Sequence, residues 1–309
     1  MPEKKTVAVY DLSSRRTNII GVILPRLDSH FITSALRGIE TVAARNGYEI
    51  IITHSQDSMK KEVAGAQLLF DRRVDGVLAS LSVETKDTAH FALFTDKKKP
   101  VVLFDSIEDP CSCGTVVIDN ARCGYLATEH LIRQGCRRIA IITADLKRTV
   151  YKQRYSGFRE ALHSYGIDFS KELLVTADDT EDSGILAAQK VLQMDASPDG
   201  LFITNDLTAV QSMNTLNEAG IRVPQDIAIV GFNNDPVGRL ITPALTTIDY
   251  PGFQIGKTAA STLLEILSGK RTIQQRTTSF VPPELIIRNS SLKSRAGYTP
   301  AAARNLSQK

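Results

Sequence analysis

The alternation of short apolar runs with amphipathic segments most constrains how this chain can fold. Runs rich in β-branched residues are each followed by an amphipathic stretch of about ten to sixteen residues. In the first such unit, Ile19 to Leu24 is a buried-strand pattern ended by Pro25, and Phe31 to Asn46 carries a helical apolar stripe closed by Gly47. This pattern is typical of βα units built around parallel sheets.

The same rhythm continues through two similar series. The further predicted helices lie near 59–72, 84–97, 121–134, 152–165, 182–193, 207–219 and 253–267. The further predicted strands lie at 48–53, 76–79, 101–104, 116–118, 139–142, 173–175, 201–203, 227–230, 280–281 and 285–287. The sequence therefore predicts an α/β protein with two doubly wound parallel sheets.

Composition limits the class of protein without identifying it. With 309 residues and 42% apolar content, the chain can bury two cores of ordinary size. A net charge of +3 gives no argument for nucleic acid, because binding domains concentrate many more cations on one face. No apolar run approaches the roughly 20 residues of a membrane span, and no apolar segment of an export signal follows the amino terminus. We therefore expect a cytoplasmic protein without a membrane partner.

Neither a metal site nor a catalytic motif can be assembled from the sequence. The four cysteines, Cys111, Cys113, Cys123 and Cys136, fit no common zinc spacing and are best read as reduced thiols. The five histidines are scattered, and we expect each to be a surface or capping residue. There is no glycine-rich nucleotide fingerprint, Walker sequence, zinc-protease motif or nucleophile elbow. The sequence predicts no cofactor, no metal and no enzyme.

Polar residues accumulate where the predicted strands end. Ligands of open α/β sheets bind beyond the carboxyl ends of the strands, where the loops converge. The first such loop carries a possible aromatic platform, Phe31, and later loops carry Asp, Asn or Arg after most strands. Helix capping alone also explains Asn and Asp at these positions. Their accumulation at one edge of both sheets favours a polyhydroxylated or heterocyclic ligand.

An ordered set of motifs resembles the LacI/GalR family of transcriptional regulators. The motifs cover about residues 12 to 290 in the family's order and are specific when taken together. They are Arg16–Ile23, Arg73–Val77, Val117–Asn120, Arg154 with Gly157–Phe158, Thr204–Asp206, Gly220–Ile227, Val230–Phe232 and Thr242–Ile248. The resemblance implies a fold like that of periplasmic sugar-binding proteins, with two lobes, three crossovers, and a small-molecule effector bound between them.

The resemblance also implies which residues contact the effector. Carried over position by position, these contacts fall on Phe31, Arg148, Arg154, Asp179, Asn205, Asn233 and Tyr250. Arg154 is the strongest candidate, because a guanidinium holds ring or anionic oxygens in a fork that lysine does not reproduce. Asn233 stands where many relatives have Asp, and Asp179 stands where several have an aromatic ring. Both departures favour a sugar over a stacked purine.

The resemblance divides the chain into segments. It implies an amino-terminal lobe from 17–119 and 251–281, and a carboxy-terminal lobe from 120–249 and 282–292. Residues 1–16 would be a remnant of the DNA-binding headpiece and its hinge, and 293–309 a disordered tail. A helix-turn-helix with its hinge needs about sixty residues. We therefore expect a homodimeric effector-sensing core that binds no operator by itself, although operator DNA would be a partner of a chain carrying a headpiece.

Two other classes of protein share this scaffold. A solute-binding protein of a sugar transport system has the same fold, and an export signal would distinguish it. An enzyme would need a nucleophile or an acid–base pair among the loops, and none can be assembled from them.

Overall fold

Strands and helices alternate along the computed structural model, which describes residues 16–105, 114–177, 182–272 and 278–293. The strands are β1 Ile19–Leu24, β2 Glu49–His54, β3 Gly76–Ala79, β4 Val101–Phe104, β5 Gly114–Ile118, β6 Ile139–Thr143, β7 Leu174–Thr176, β8 Gly200–Ile203, β9 Ala228–Asn233, β10 Thr246–Asp249, β11 Thr278–Val281 and β12 Glu284–Ile286. The α-helices are α1 His30–Arg45, α2 Met59–Asp71, α3 Ala92–Thr95, α4 Asn120–Arg133, α5 Thr149–Ser164, α6 Ser183–Leu192, α7 Asp206–Glu218, α8 Val237–Leu240 and α9 Gly252–Leu267. Short 3₁₀ turns occupy Ala89–Phe91, Lys171–Leu173 and Asn289–Ser291.

The chain divides into two compact units. Unit 1 comprises Met1–Val116 and Phe253–Ser279, and unit 2 comprises Val117–Gly252 and Phe280–Lys309. The chain therefore passes from one unit to the other three times. The predicted lobe boundaries, 17–119 plus 251–281 and 120–249 plus 282–292, stay a prediction.

The first sheet has the strand order β11-β5-β4-β3-β1-β2. Strands β1 to β5 pair in parallel, so their carboxyl ends share one edge. Residues of β1, β3 and β4 are almost wholly buried, as expected for strands covered on both faces by helices. Their side chains form a core with apolar residues of α2 and with Phe91 and Phe94.

The second sheet repeats this topology with the order β12-β10-β9-β8-β6-β7. Strands β6 to β10 are parallel, while β12 runs antiparallel to β10. The chain leaves β6 to build β7 on one side and returns to place β8 on the other. Loops therefore diverge from the carboxyl ends of β6 and β8, which is where doubly wound sheets bind ligands. The predicted fold class, with two parallel sheets and alternating helices, is confirmed.

One predicted helix was wrong, and one strand was not predicted. The amphipathic pattern at 84–97 forms a 3₁₀ turn and the short α3 instead of a long helix. The chain entering this segment is held by a buried carboxylate, since Glu62 accepts hydrogen bonds from the Ser82 amide at 2.6 Å and the Thr85 hydroxyl at 2.9 Å. Strand β10 was missed as a strand because its threonines do not alternate with apolar residues. At 84–97, the contacts with Glu62 outweigh the local helical pattern.

The histidine prediction was wrong for two residues and held for the other three. His90 is buried with its Nε2 atom 3.0 Å from Glu62 Oε1. His130 is buried on α4, where Nε2 lies 2.7 Å from the Ser291 hydroxyl, and burial lowers its pKa to about 4. His30, His54 and His163 are exposed. An apolar stripe on a helix can carry a histidine into the core when a hydroxyl is available to pair with it.

The terminal segments fall mainly outside the described residues. The predicted headpiece remnant at 1–16 is described only at Arg16, and the predicted tail at 293–309 only at Lys293, whose ammonium donates to the Asp226 carbonyl at 3.4 Å. Within the described ranges, no helix combines the length and apolar character needed to cross a bilayer.

Candidate ligand-binding site

The carboxyl ends of β6 and β8 border an open pocket within unit 2. It is shallow, with a cavity volume of about 20 Å³, the space of about one water molecule. It is lined by Ile142, Thr143, Ala144, Tyr151, Ala177, Ser183, Thr204, Asn205 and Thr208. The pocket combines a ring, hydroxyl groups and a carboxamide at the point where the topology predicts a ligand.

Arg154 is held beside this pocket by α5. The buried face of α5 contains Val150, Gly157, Phe158 and Ala161, and Arg154 occupies a position within that apolar stripe. Its side chain is consequently only 4% exposed. A guanidinium at such a position must be paired or stacked, because isolated burial of a charge is strongly unfavourable.

Two hydrogen bonds and three rings surround the guanidinium. Nε donates to Asn120 Oδ1 at 2.9 Å, and Nη1 donates to the Thr204 carbonyl at 3.1 Å. The guanidinium carbon lies 3.5 Å from the centre of the Phe232 ring, 5.2 Å from that of Tyr151 and 5.5 Å from that of Tyr250. These rings stabilise the cation through their negative faces and hold its plane fixed.

Three further predicted residues lie at the same edge. Arg148 precedes α5, with its guanidinium carbon 5.3 Å from the centre of the Tyr151 ring. Asn205 is the N-cap of α7, and its side-chain oxygen accepts from the Thr208 amide at 3.1 Å. Asn233 ends β9 with a φ of 121°. The structure thus brings Arg154, Tyr250, Arg148, Asn205 and Asn233 to one edge of the second sheet.

The other two predicted contacts lie in unit 1 and outside the described residues. Phe31 belongs to unit 1, where it is the second residue of α1 and is 6% exposed. Asp179 lies outside the described residues. Both stay predictions.

Sequence reasoning did not select three residues that contact Arg154. Asn120 and Phe232 both lie in the motifs of the resemblance, but neither was assigned a role. Tyr151 precedes Arg154 by three positions, a spacing that places two side chains on the same helix face. That spacing was the available signal for Tyr151.

The described cysteines are buried and unreactive. Burial raises the pKa of Cys123 to about 12 and that of Cys136 to about 11, so neither thiol ionises near neutral pH. Cys111 and Cys113 lie outside the described residues. Across the described ranges, no group of three or more His, Cys, Asp or Glu side chains is arranged to hold a metal ion.

Comparisons with known proteins agree with this architecture. Residues 128–291 match the family described as a periplasmic binding protein-like domain. The chain is 33% identical to the HTH-type transcriptional repressor PurR of Erwinia tasmaniensis, over 90% of this chain and 81% of that protein.

Solved structures of regulators share the fold. A LacI family transcriptional regulator from Enterococcus faecium with bound ribose has a TM-score of 0.78 and 26% identity, covering 90% of this chain and all of that one. The transcriptional regulator CelR in complex with cellobiose has a TM-score of 0.79 and 25% identity, covering 90% and 85% of the two chains. The present chain therefore belongs to the LacI/GalR family of transcriptional regulators and carries that family's effector-binding domain.

Proposed function

We propose that this protein is a cytoplasmic transcriptional regulator whose effector is a small sugar, bound by unit 2 at the carboxyl ends of β6, β8 and β9. The observation that carries the proposal is the fixed guanidinium of Arg154. Only two of its five N–H groups donate to residues within the described part of the chain. The other three can bond ring or hydroxyl oxygens in a geometry that the aromatic rings fix in advance.

The surrounding groups favour a sugar over a purine. Asn205, Ser183 and Thr208 offer carboxamide and hydroxyl groups at the pocket, and Asn233 is uncharged. Such groups both donate and accept hydrogen bonds, as sugar hydroxyls do. Two related regulators were solved with ribose and with cellobiose, which supports this chemical class. The relative named PurR makes a purine the competing candidate.

A ligand screen tests the sugar proposal. We expect one of a panel of pentoses, hexoses and disaccharides to raise the unfolding temperature by roughly 5 °C at a hundred times its dissociation constant. Thermal shift with calorimetric titration is the measurement, and adenine and guanine are the matched comparison. A response to the purines alone would show that the assigned ligand class is wrong. If neither class produced a shift, the proposed site would be rejected.

A binding role is preferred to catalysis or transport. The matched relatives with assigned roles are transcriptional regulators, which favours regulation over solute capture for a transporter. Arg154 and its neighbours supply binding contacts but include no paired nucleophile and base among the described residues.

We also propose that the protein forms a homodimer through an apolar face of unit 1. Strand β2 is at one end of the first sheet, and α2 packs beside it. Ile52 is 42% exposed, Val63 is 38% exposed and Leu68 is 46% exposed. Exposed apolar side chains on β2 and α2, at an open sheet edge, are favourable contacts for a second copy.

A charge placed on this face should separate the dimer. We expect Leu68→Glu to shift the protein from dimer to monomer, because burying an unpaired carboxylate in an interface is unfavourable. Sedimentation equilibrium across a range of concentrations measures the change. Asn214→Asp, which adds the same charge at an exposed position of α7, serves as the control. A Leu68→Glu protein that remained dimeric would place the contact elsewhere.

A further inference from the structure

The buried carboxylate of Asp206 supports the turn that follows β9, at Asn233–Asp235. Asp206 is the first residue of α7 and is fully buried. Its Oδ1 atom accepts from the Thr247 hydroxyl at 2.7 Å, and its Oδ2 atom accepts from the Asp235 amide at 2.8 Å. A Cβ built on Gly231 would lie 2.2 Å from Oδ1, so the carboxylate packs directly on the backbone of β9. Asp206 thus joins α7 to β9, to β10 and to the turn that follows β9.

The turn above this carboxylate is strained. Asn233 and Asn234 have φ angles of 121° and 59°, in the region that favours glycine. Such a backbone persists only when its surroundings hold it in place. The amide of Asn234 donates to the Thr247 hydroxyl oxygen at 3.3 Å, and the next amide, that of Asp235, donates to Asp206. Thr247 and Asp206 therefore hold two consecutive amides of the turn.

Among the described residues, few charged groups surround Asp206. Burial raises the pKa of Asp206 to about 7. The hydrogen bond from the Thr247 hydroxyl acts in the opposite direction, and the negative charge of Asp235, which faces Asp206 from the turn, adds to the rise. Arg288, which follows β12, bonds Asn234 Oδ1 at 2.6 Å and interacts with Asp206, with Asp249 on β10 and with Arg239 on α8. A protonated carboxyl oxygen is a poorer acceptor, so the support of the turn depends on the ionisation of Asp206.

We propose that Asp206 is the positioning residue of the Asn233–Asp235 turn, and that its carboxylate sets the affinity of this turn for the effector without touching the effector itself. The effect on affinity rests on the proposed function, whereas the positioning of the turn does not. The role of Asp206 differs from that of its neighbour Asn205, whose side chain caps α7.

A spectroscopic titration tests the positioning role without any ligand. We expect the amide resonance of Asp235 to titrate between pH 5.5 and 8.5 with a midpoint near the pKa of Asp206, about 7. In Asp206→Asn the transition should disappear. A flat profile in the parent, or the same profile in the variant, would overturn the assignment.

Variants of Thr247 provide a second measurement on a neighbouring side chain. In Thr247→Val, we expect the amide of Asn234 to exchange with solvent about tenfold faster, because the hydroxyl that links it to Asp206 is lost. Thr247→Ser keeps that hydroxyl and should restore slow exchange. Thr215→Val removes a half-buried hydroxyl of α7 that donates to the Gln211 carbonyl at 3.1 Å, and is the matched control. Equal exchange rates in the valine and serine proteins would contradict the proposal.

Calorimetric titration with the sugar selected by the screen completes the test. For the parent we expect affinity to weaken by up to about tenfold between pH 8 and pH 6, and for Asp206→Asn we expect affinity that does not change with pH. The same pH dependence in both proteins would refute the link to affinity. If the Asp235 resonance titrated as expected but no sugar bound, the proposed function would fail while the positioning role stood.

Discussion

Arg154→Ala is expected to weaken effector binding by about 100-fold or more. The change removes a guanidinium that is 4% exposed and stacks on Phe232 with 3.5 Å between guanidinium carbon and ring centre. Each charge-assisted hydrogen bond contributes about 1.5 to 3 kcal/mol, so the loss of two such bonds to a sugar exceeds a factor of 100. Calorimetric titration with the sugar found in the screen measures the loss.

Conservative variants separate charge from geometry. Arg154→Lys keeps the charge but loses the fork, so we expect it to bind more weakly than the parent and more tightly than the alanine variant. Lys147→Ala removes an exposed cation in the loop before α5, whose ion pair with Asp145 spans 3.7 Å in solvent, and should leave binding unchanged. Parent-like affinity in Arg154→Ala would show that the ligand binds elsewhere.

Gly157→Ala is expected to destabilise unit 2 by more than about 3 kcal/mol. Helices α4 and α5 approach so closely at this residue that an added Cβ would lie 1.8 Å from the Ala121 carbonyl oxygen. A second contact of the same kind occurs at Gly124, where a Cβ would lie 2.0 Å from the Arg154 carbonyl oxygen. The helix propensity gained by replacing glycine, at most about 1 kcal/mol, cannot offset the separation of the two helices.

Urea unfolding of the variant provides the measurement. Ser156→Ala, at the preceding exposed position of α5, is the matched control and should change the free energy of unfolding by less than about 0.5 kcal/mol. Since α5 also carries Arg154, any Gly157→Ala protein that folds should bind the effector more weakly. A variant as stable as the parent would show that the helices can separate without loss.

The sequence predicted the sheet topology well because both sheets are built from nearly continuous apolar strands separated by amphipathic helices. A strand buried on both faces is a nearly unbroken run of apolar residues, so its burial can be recognised from the sequence. It predicted β10 poorly because Thr246 and Thr247 are buried polar residues. The Thr246 amide donates to Ser290, and the Thr247 hydroxyl donates to Asp206. Both partners lie more than 40 positions away in the chain and cannot be inferred from local pattern.

The candidate site likewise contains residues that the sequence can identify and residues that it cannot. Arg154 could be selected because an arginine interrupts an otherwise apolar helix face. The capping explanation for polar residues at strand ends was also correct for Asn205, which accepts from the Thr208 amide. The neighbouring Asp206 is also of a residue type that is common at helix caps, but it is fully buried. Only the packing of α7 against β9 and β10 distinguishes the two.

The triple passage of the chain between its units has a consequence for biosynthesis. Helix α9 belongs to unit 1 and packs on α1 so tightly that a Cβ on Gly256 would lie 2.0 Å from the Ala35 carbonyl oxygen. During translation, α1 must therefore wait for more than 200 residues before its partner emerges from the ribosome, while most of unit 2 has already been made. Unit 1 exposes part of its interior throughout that interval, so a slowed ribosome or a shortage of chaperones should harm this unit first.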